Sequence, residues 1–293
     1  MRKRKGLITG LIIFLLVIIG AAIGGKYFID KKVAENERIV ATSAAITDIF
    51  AKLDIKLVGV PQTQAKLPAR YQNVEKIGSP MKPSVEKIAS LNPTQVYAVS
   101  TLKDQYNESF KKQSVDVTYL KLDSVAQLKA TLTSLGKKYY RQKQAETQIS
   151  MIDQAISRAK KRISGRAPKV LILMGLPGAN YMILTNKSYL GNLVELAGGK
   201  NVYQSKQQIY LSPSNDSLAT KNPDVILRLE HALPNVTLPQ FKAEFRKNSV
   251  WKHMKAVKDK RVYDLQQPDF NASANMNVPR ALNKLSYWLY PKK

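Results

Sequence analysis

The 293-residue chain contains no cysteine and only two histidines, and its 21 acids are outnumbered by 47 lysines and arginines. The missing thiols exclude disulfides, thiolate metal centres, iron–sulfur clusters, a cysteine nucleophile and a lipid-modified cysteine. They also suit a chain outside the cytosol, where nothing can oxidise into a wrong pairing. No nucleophile elbow, glycine-rich phosphate loop or His–carboxylate cluster at metal-ligand spacing is present, which argues against catalysis. The shortage of acids leaves a formal net charge of +26, which calls for a polyanionic neighbour such as nucleic acid, an anionic lipid leaflet or an acidic cell wall. The bases are spread along the whole chain, with no local patch interleaved with aromatics of the kind nucleic-acid modules use. A solvated basic surface is the simpler reading.

The N-terminus carries the compartment. "MRKRK", residues 1–5, is a basic cytoplasmic segment, and the uncharged run Gly6–Gly25 is long enough to span a bilayer as a helix. Basic residues stay on the cytoplasmic side, so the rest of the chain is expected outside, held at the plasma membrane by a single-pass N-terminal anchor. A cleaved signal peptide is the rival, with Gly20-Ala21-Ala22 as a small-residue cleavage site, but the apolar run exceeds a signal core. Translocation excludes a nucleic-acid role. Residues 26–36 read as a polar stalk.

Beyond the stalk, "ERIVATS" reads as a strand running into a turn. Thr42 or Ser43 then caps a helix with apolar spacing at Ile46, Ile49, Phe50 and Leu53. "KLVGVP" is a second strand, and the alternation that follows predicts parallel α/β layers. The most informative feature is an internal repeat. "SVEKIASLNPTQV", residues 84–96, lies on "SNDSLATKNPDVI", residues 214–226, pairing Ser84 with Ser214, Glu86 with Asp216, Ile88 with Leu218, and Asn92-Pro93 with Asn222-Pro223. In each copy a serine caps a short helix, an acid sits where the helix dipole favours it, and Asn-Pro breaks the helix before an apolar strand. Two similar α/β lobes are expected, an N-terminal one over 37–122 and a C-terminal one over 166–293. Residues 123–165 link them through one helix ending near Gly136 and a longer one from Lys137 to Ile163, which has no proline or glycine inside.

Ligands bind at the carboxyl ends of strands in open α/β sheets, so two facing lobes make a cleft of two such edges. His231 follows the strand of the second repeat, "VILRLE", and its counterpart in the first is Thr101. Met81 stands between Pro80 and Pro83 in "GSPMKPS", a stiff loop that keeps its side chain off a core helix face. A thioether and an imidazole aimed at one cleft are an axial pair for haem iron. Without CxxCH, such a haem is held non-covalently. His253, in the basic amphipathic "VWKHMKAV", reads as a surface histidine.

The segments "RIVATSAAITDIFAKLDIKLVGVP", "LPARY", "IGSPMKPSVEKIASLNP", "LMGLPGANYM", "YLGNLVELAGGKNVY" and "NPDVILRLEHALP" resemble the haem-binding lipoprotein of the iron-regulated surface determinant ABC uptake system of Gram-positive bacteria. The likeness runs from residue 37 almost to the C-terminus. It implies a class III substrate-binding protein, with two lobes joined by a single long helix, that coordinates haem iron through one Met and one His, here Met81 and His231. It further implies that haem comes from surface donor proteins and passes to a permease with a partner ATPase. The absent lipobox cysteine is the one departure, and it concerns anchoring alone.

Two haem propionates need donors. The helix start Thr42-Ser43-Ala44-Ala45 is one candidate, favoured by the resemblance, since helix N-termini carry free N–H groups. The loop Gln62-Thr63-Gln64 is another, and Lys82 adds charge. Tyr181 and Met182 of "GANYM" are candidate walls for the macrocycle. The resemblance gives Glu86 and Asp216 a role as acids that dock the two lobes on the permease. Two alternatives remain: a ferric-siderophore or cobalamin carrier of the same plan, and a basic cell-wall adhesion protein with no transport role.

Overall fold

The computed structural model describes residues 31–176, 178, 181–230 and 234–291. The expected basic segment 1–5, the apolar run 6–25 and the first part of the stalk lie outside the described residues. Among the described residues no helix is long and apolar enough to cross a membrane.

Strand β1 (Ile39–Ala41) is buried throughout, as expected of a parallel strand covered on both faces. It leads into α1 (Ala44–Lys52), where Ser43 Oγ accepts the Ile46 N–H as the cap. Ile46, Ile49, Phe50 and Leu53 are fully buried, each contributing about 2 kcal/mol of burial. There follow β2 (Gly59–Val60), β3 (Glu75–Lys76), the hairpin strands β4 (Gly78–Ser79) and β5 (Lys82–Pro83), α2 (Val85–Ser90), β6 (Gln95–Val99), α3 (Lys103–Lys112) and β7 (Val117–Leu120). The first sheet has the order β3-β2-β1-β6-β7, and every pairing in it is parallel.

Helices α4 (Val125–Lys138) and α5 (Gln142–Lys161) lead to β8 (Lys169–Gly175), β9 (Tyr181–Leu184), α6 (Tyr189–Leu196), β10 (Lys200–Asn201), β11 (Tyr210–Leu211) and α7 (Asn215–Lys221). The described chain closes with β12 (Val225–Glu230), α8 (Pro234–Lys247), α9 (Ser249–His253), α10 (Lys255–Lys258), β13 (Val262–Leu265) and α11 (Val278–Leu289). The second sheet has the order β11-β9-β8-β12-β13, with β10 pairing β8. Strands β8, β10, β12 and β13 run parallel, and β9 is antiparallel to β8.

The repeat is built twice in the same way. Ser84 Oγ accepts Lys87 N–H and Ser214 Oγ accepts Ser217 N–H, each capping its short helix. Asn92 and Asn222 then take the left-handed conformation, with φ of 45° and 35°, which asparagine tolerates better than most residues. Strands β6 and β12 follow.

Two expectations are corrected. The long helix begins at Gln142 rather than Lys137, because α4 and α5 are separated by a Schellman-type turn. Arg141 N–H reaches Gly136 O at 2.7 Å, Tyr140 N–H reaches Lys137 O, and Tyr140 sits at φ 54°. At 20 residues, α5 spans about 30 Å. The stalk is not a free spacer along its described part. Residues 31–35 are helical, Ala34 packs against the core, Arg141 pairs with Glu35 at 3.6 Å, and Tyr139 OH donates to Glu37 at 2.8 Å.

One continuous core runs from Ile39 and Phe50 beside the first sheet, through Leu128, Leu132 and Ile152 on α4 and α5, to Val170, Leu227 and Leu285 against the second sheet. Smaller clusters cover the outer faces of the two sheets.

Candidate functional site

The carboxyl edge of the first sheet gathers most of the candidates from that half. Strand β1 runs into the fully buried Thr42. Strand β2 runs into Pro61 and the exposed Gln62, whose backbone N–H donates to Gly78 O at 2.8 Å. That bond ties the loop to the hairpin carrying Met81. Gly78 makes the entry, at φ 95°, where a Cβ would meet Lys82 O and Ser84 N at 3.0 Å. Met81 stands at the hairpin tip and is 48% exposed, an unusual position for a large apolar side chain.

The tip is held from behind by α3. Gln105 Nε2 donates to Met81 O and the Tyr106 hydroxyl donates to Pro80 O. Tyr106 is itself buried, and burial pushes its phenol up to about 12. Gln105 and Tyr106 are not evident as site residues from sequence. The only signal is an i,i+4 pair of aromatics, Tyr106 and Phe110, both buried in an otherwise polar helix.

The first turn of α1 holds no acid, so its free N–H groups and dipole face no competing charge there. Ser43 and Ala44 are half-buried and Ala45 is buried. One turn further on, burial raises Asp48 to about 6, opposed by Lys52. Thr63 Oγ1 accepts Ala65 N–H at 3.1 Å, while Gln64 and Lys82 are exposed.

At the second sheet, β12 ends with Glu230 opposite Gly175 of β8, and Gly175 lies opposite Tyr181. Close packing requires that glycine, since a Cβ would meet the Phe241 ring at 2.7 Å. Glu230 is buried, and desolvation raises its carboxyl against a 3.4 Å hydrogen bond from Gln266. Arg228 forks onto Asp264 at 2.8 and 3.0 Å and lies 4.8 Å over the Phe245 ring. These contacts fix the strand end that leads into residue 231. His231 itself lies outside the described residues.

Tyr181 belongs to the core, its ring edge-on to Trp251 at 5.9 Å, and Met182 is half-buried against the main core. The structure thus gives both to packing. Val236 on α8, 40% exposed, is an apolar side chain near this edge that the sequence patterns did not single out. Thr101 and His253 are exposed. Glu86 and Asp216 are both exposed in the first turns of the matched helices α2 and α7, with Ser84 Oγ 3.2 Å from Glu86. Among the described residues no group of three or more His, Asp or Glu could hold a metal ion. What this edge offers is an exposed, rigidly mounted thioether beside an acid-free helix start.

Comparison with known proteins bears on this edge. The periplasmic binding protein family model matches residues 39–268. The "High-affinity heme uptake system protein IsdE" of Staphylococcus aureus is 39% identical over 262 residues, covering 87% of this chain and 88% of that protein. The crystal structure of S. aureus IsdE complexed with heme superposes with a TM-score of 0.82 at 39% identity, over 87% of this chain and 99% of that one. An ABC transporter substrate-binding protein from Listeria monocytogenes EGD-e gives 0.78 at 40% identity, again over 87% and 99%.

Proposed function

The chain belongs to the periplasmic binding protein family, and from that premise we propose that it is the haem-binding component of an ABC importer, receiving haem outside the cell and delivering it to a permease for iron acquisition. The family consists of substrate-binding proteins, so the chain binds and hands over its ligand and is not an enzyme. Haem is cargo here, held non-covalently.

Met81 and His231 are the axial ligands in this reading. The observation that carries it is Met81 itself: a large apolar side chain left half in water at a loop tip, while two side chains of α3 fix the carbonyls beside it. Such a mount has no packing purpose and suits a soft thioether offered to iron. In sequence, His231 follows directly on the buried end of β12. The first turn of α1, residues 42–45, receives one propionate through backbone N–H groups, and Gln62, Thr63, Gln64 and Lys82 border the same edge. The two sheets make two lobes, 37–122 and 166–293, joined by 123–165. Glu86 and Asp216 dock them on basic residues of the permease. The apolar run 6–25 anchors the chain at the outer face of the plasma membrane, where surface proteins donate haem.

The test is a spectral titration with haemin. A sharp one-to-one Soret band is expected. Met81→Ala and His231→Ala should each lower haem retention at least tenfold, and His253→Ala should leave it unchanged. Equal losses from both histidine variants would refute the assignment.

A further inference from the structure

We propose that the amino-terminal edge of the second sheet, together with the outer end of α5, is a contact surface for anionic lipid headgroups that lays this side of the molecule on the membrane. The proposal rests on the reading of residues 6–25 as an anchor.

The charge is local here, although it is dispersed elsewhere. Residues 158–169, "RAKKRISGRAPK", hold six bases in twelve positions and no acid. Lys160 and Lys161 end α5 and are exposed. Lys169 and Lys200 open β8 and β10, stand directly opposite each other in register, and are both exposed. Like charges in register repel, and no acid among the described residues pairs with either. The nearby Asp224 is already engaged by Arg166 at 3.0 Å and by Lys255 at 4.0 Å. Lys160, Lys161, Lys169 and Lys200 have no acid partner among the described residues, and four such cations call for an external anion.

Apolar side chains accompany the cations. Ile163 is 42% and Tyr287 47% exposed, and the Arg162 guanidinium stacks 3.5 Å over the Tyr287 ring. Exposed tyrosine and isoleucine among bases is the composition of an interfacial membrane contact. A hydrated wall polymer has no use for the apolar part. Val33 on the tether and Met151 on α5 are exposed as well.

The tether lies on the same side. Residues 34–37 are held at the amino edge of the first sheet by Tyr139 and Arg141, next to the start of α5. The basic row lies at the other end of that helix. Thr42 and Glu230 lie at carboxyl edges, and the Met81 hairpin is tied to the carboxyl end of β2 through Gln62 N–H and Gly78 O. A membrane reached through residue 31 therefore meets the basic row, and in this receiving pose the candidate haem edge faces outward, so the carrier must lift off the lipid before Glu86 and Asp216 dock on the permease. Each base within a Debye length of an anionic leaflet strengthens such contact about fivefold.

Because the chain has no native thiol, single cysteines can report its orientation. The full chain, carrying Ser164→Cys near the basic row or Thr101→Cys at the opposite edge, is fluorophore-labelled and reconstituted in phosphatidylcholine vesicles with or without phosphatidylglycerol and a headgroup-attached quencher. The Ser164 position should quench several-fold more than the Thr101 position in anionic vesicles. The difference should vanish in high salt and in the triple variant Lys160→Gln, Lys161→Gln, Lys200→Gln, whose thermal melt serves as the folding control. Equal quenching at both positions, or no dependence on lipid charge, overturns the proposal. If the anchor reading is the part that fails, the chain stays free of neutral vesicles. Co-sedimentation with anionic vesicles that is lost in the triple variant then still supports the surface, and its absence overturns it. Tighter, variant-sensitive binding to soluble polyglycerol phosphate than to vesicles assigns the row to a wall polymer and also overturns it.

Discussion

Met81 shows how much one side chain's setting can reveal. Its flanking prolines are visible in the sequence and announce a stiff loop. The anchor behind it is not visible, because Tyr106 and Gln105 reach backbone carbonyls that any residue would present, 26 and 24 positions away. Residue identity at the receiving end leaves no trace. Tyr106→Phe keeps the buried ring and removes only the hydroxyl. It should cost about 1–2 kcal/mol in denaturant unfolding by leaving the Pro80 carbonyl short of a donor. It should also speed haem loss several-fold, measured by transfer to an excess of a haem scavenger. An unchanged loss rate would mean that the hydroxyl does not steady the methionine.

At the scale of elements, the repeat and the alternation of strands and helices were legible because each rests on local chemistry: a serine cap, an apolar stripe, an Asn-Pro break. The boundary between α4 and α5 was not, since the usual signal is a glycine or asparagine in the left-handed position and here Tyr140 holds it. The informative glycine lies four residues earlier. A Cβ on Gly136 would sit 2.7 Å from the Ala145 Cβ, where the two helices cross. Gly136→Val should therefore destabilise the fold by about 1–3 kcal/mol through overpacking, read from the denaturation midpoint. Adding Ala145→Gly should restore part of that loss. A full loss in the double variant would point to the backbone of α4 instead. The docked tether escaped sequence reading for a different reason, as the bond from Tyr139 to Glu37 spans 102 residues.

Across the whole molecule, the two sheets share a single apolar interior that passes through α4 and α5. A hinge between the sheets would have to open that interior, exposing side chains such as Leu132 and Ile152, each at about 2 kcal/mol. Small-angle scattering should accordingly give the same radius of gyration with and without haem. A marked contraction on loading would show that the shared interior yields.

A body this stiff has little means of announcing its load by posture. The full and the empty carrier present nearly the same outline to a transporter, so the two would compete for it on almost equal terms. Any preference for the full one must be read where the ligand itself is exposed, from the porphyrin edge or from the few side chains that touch it.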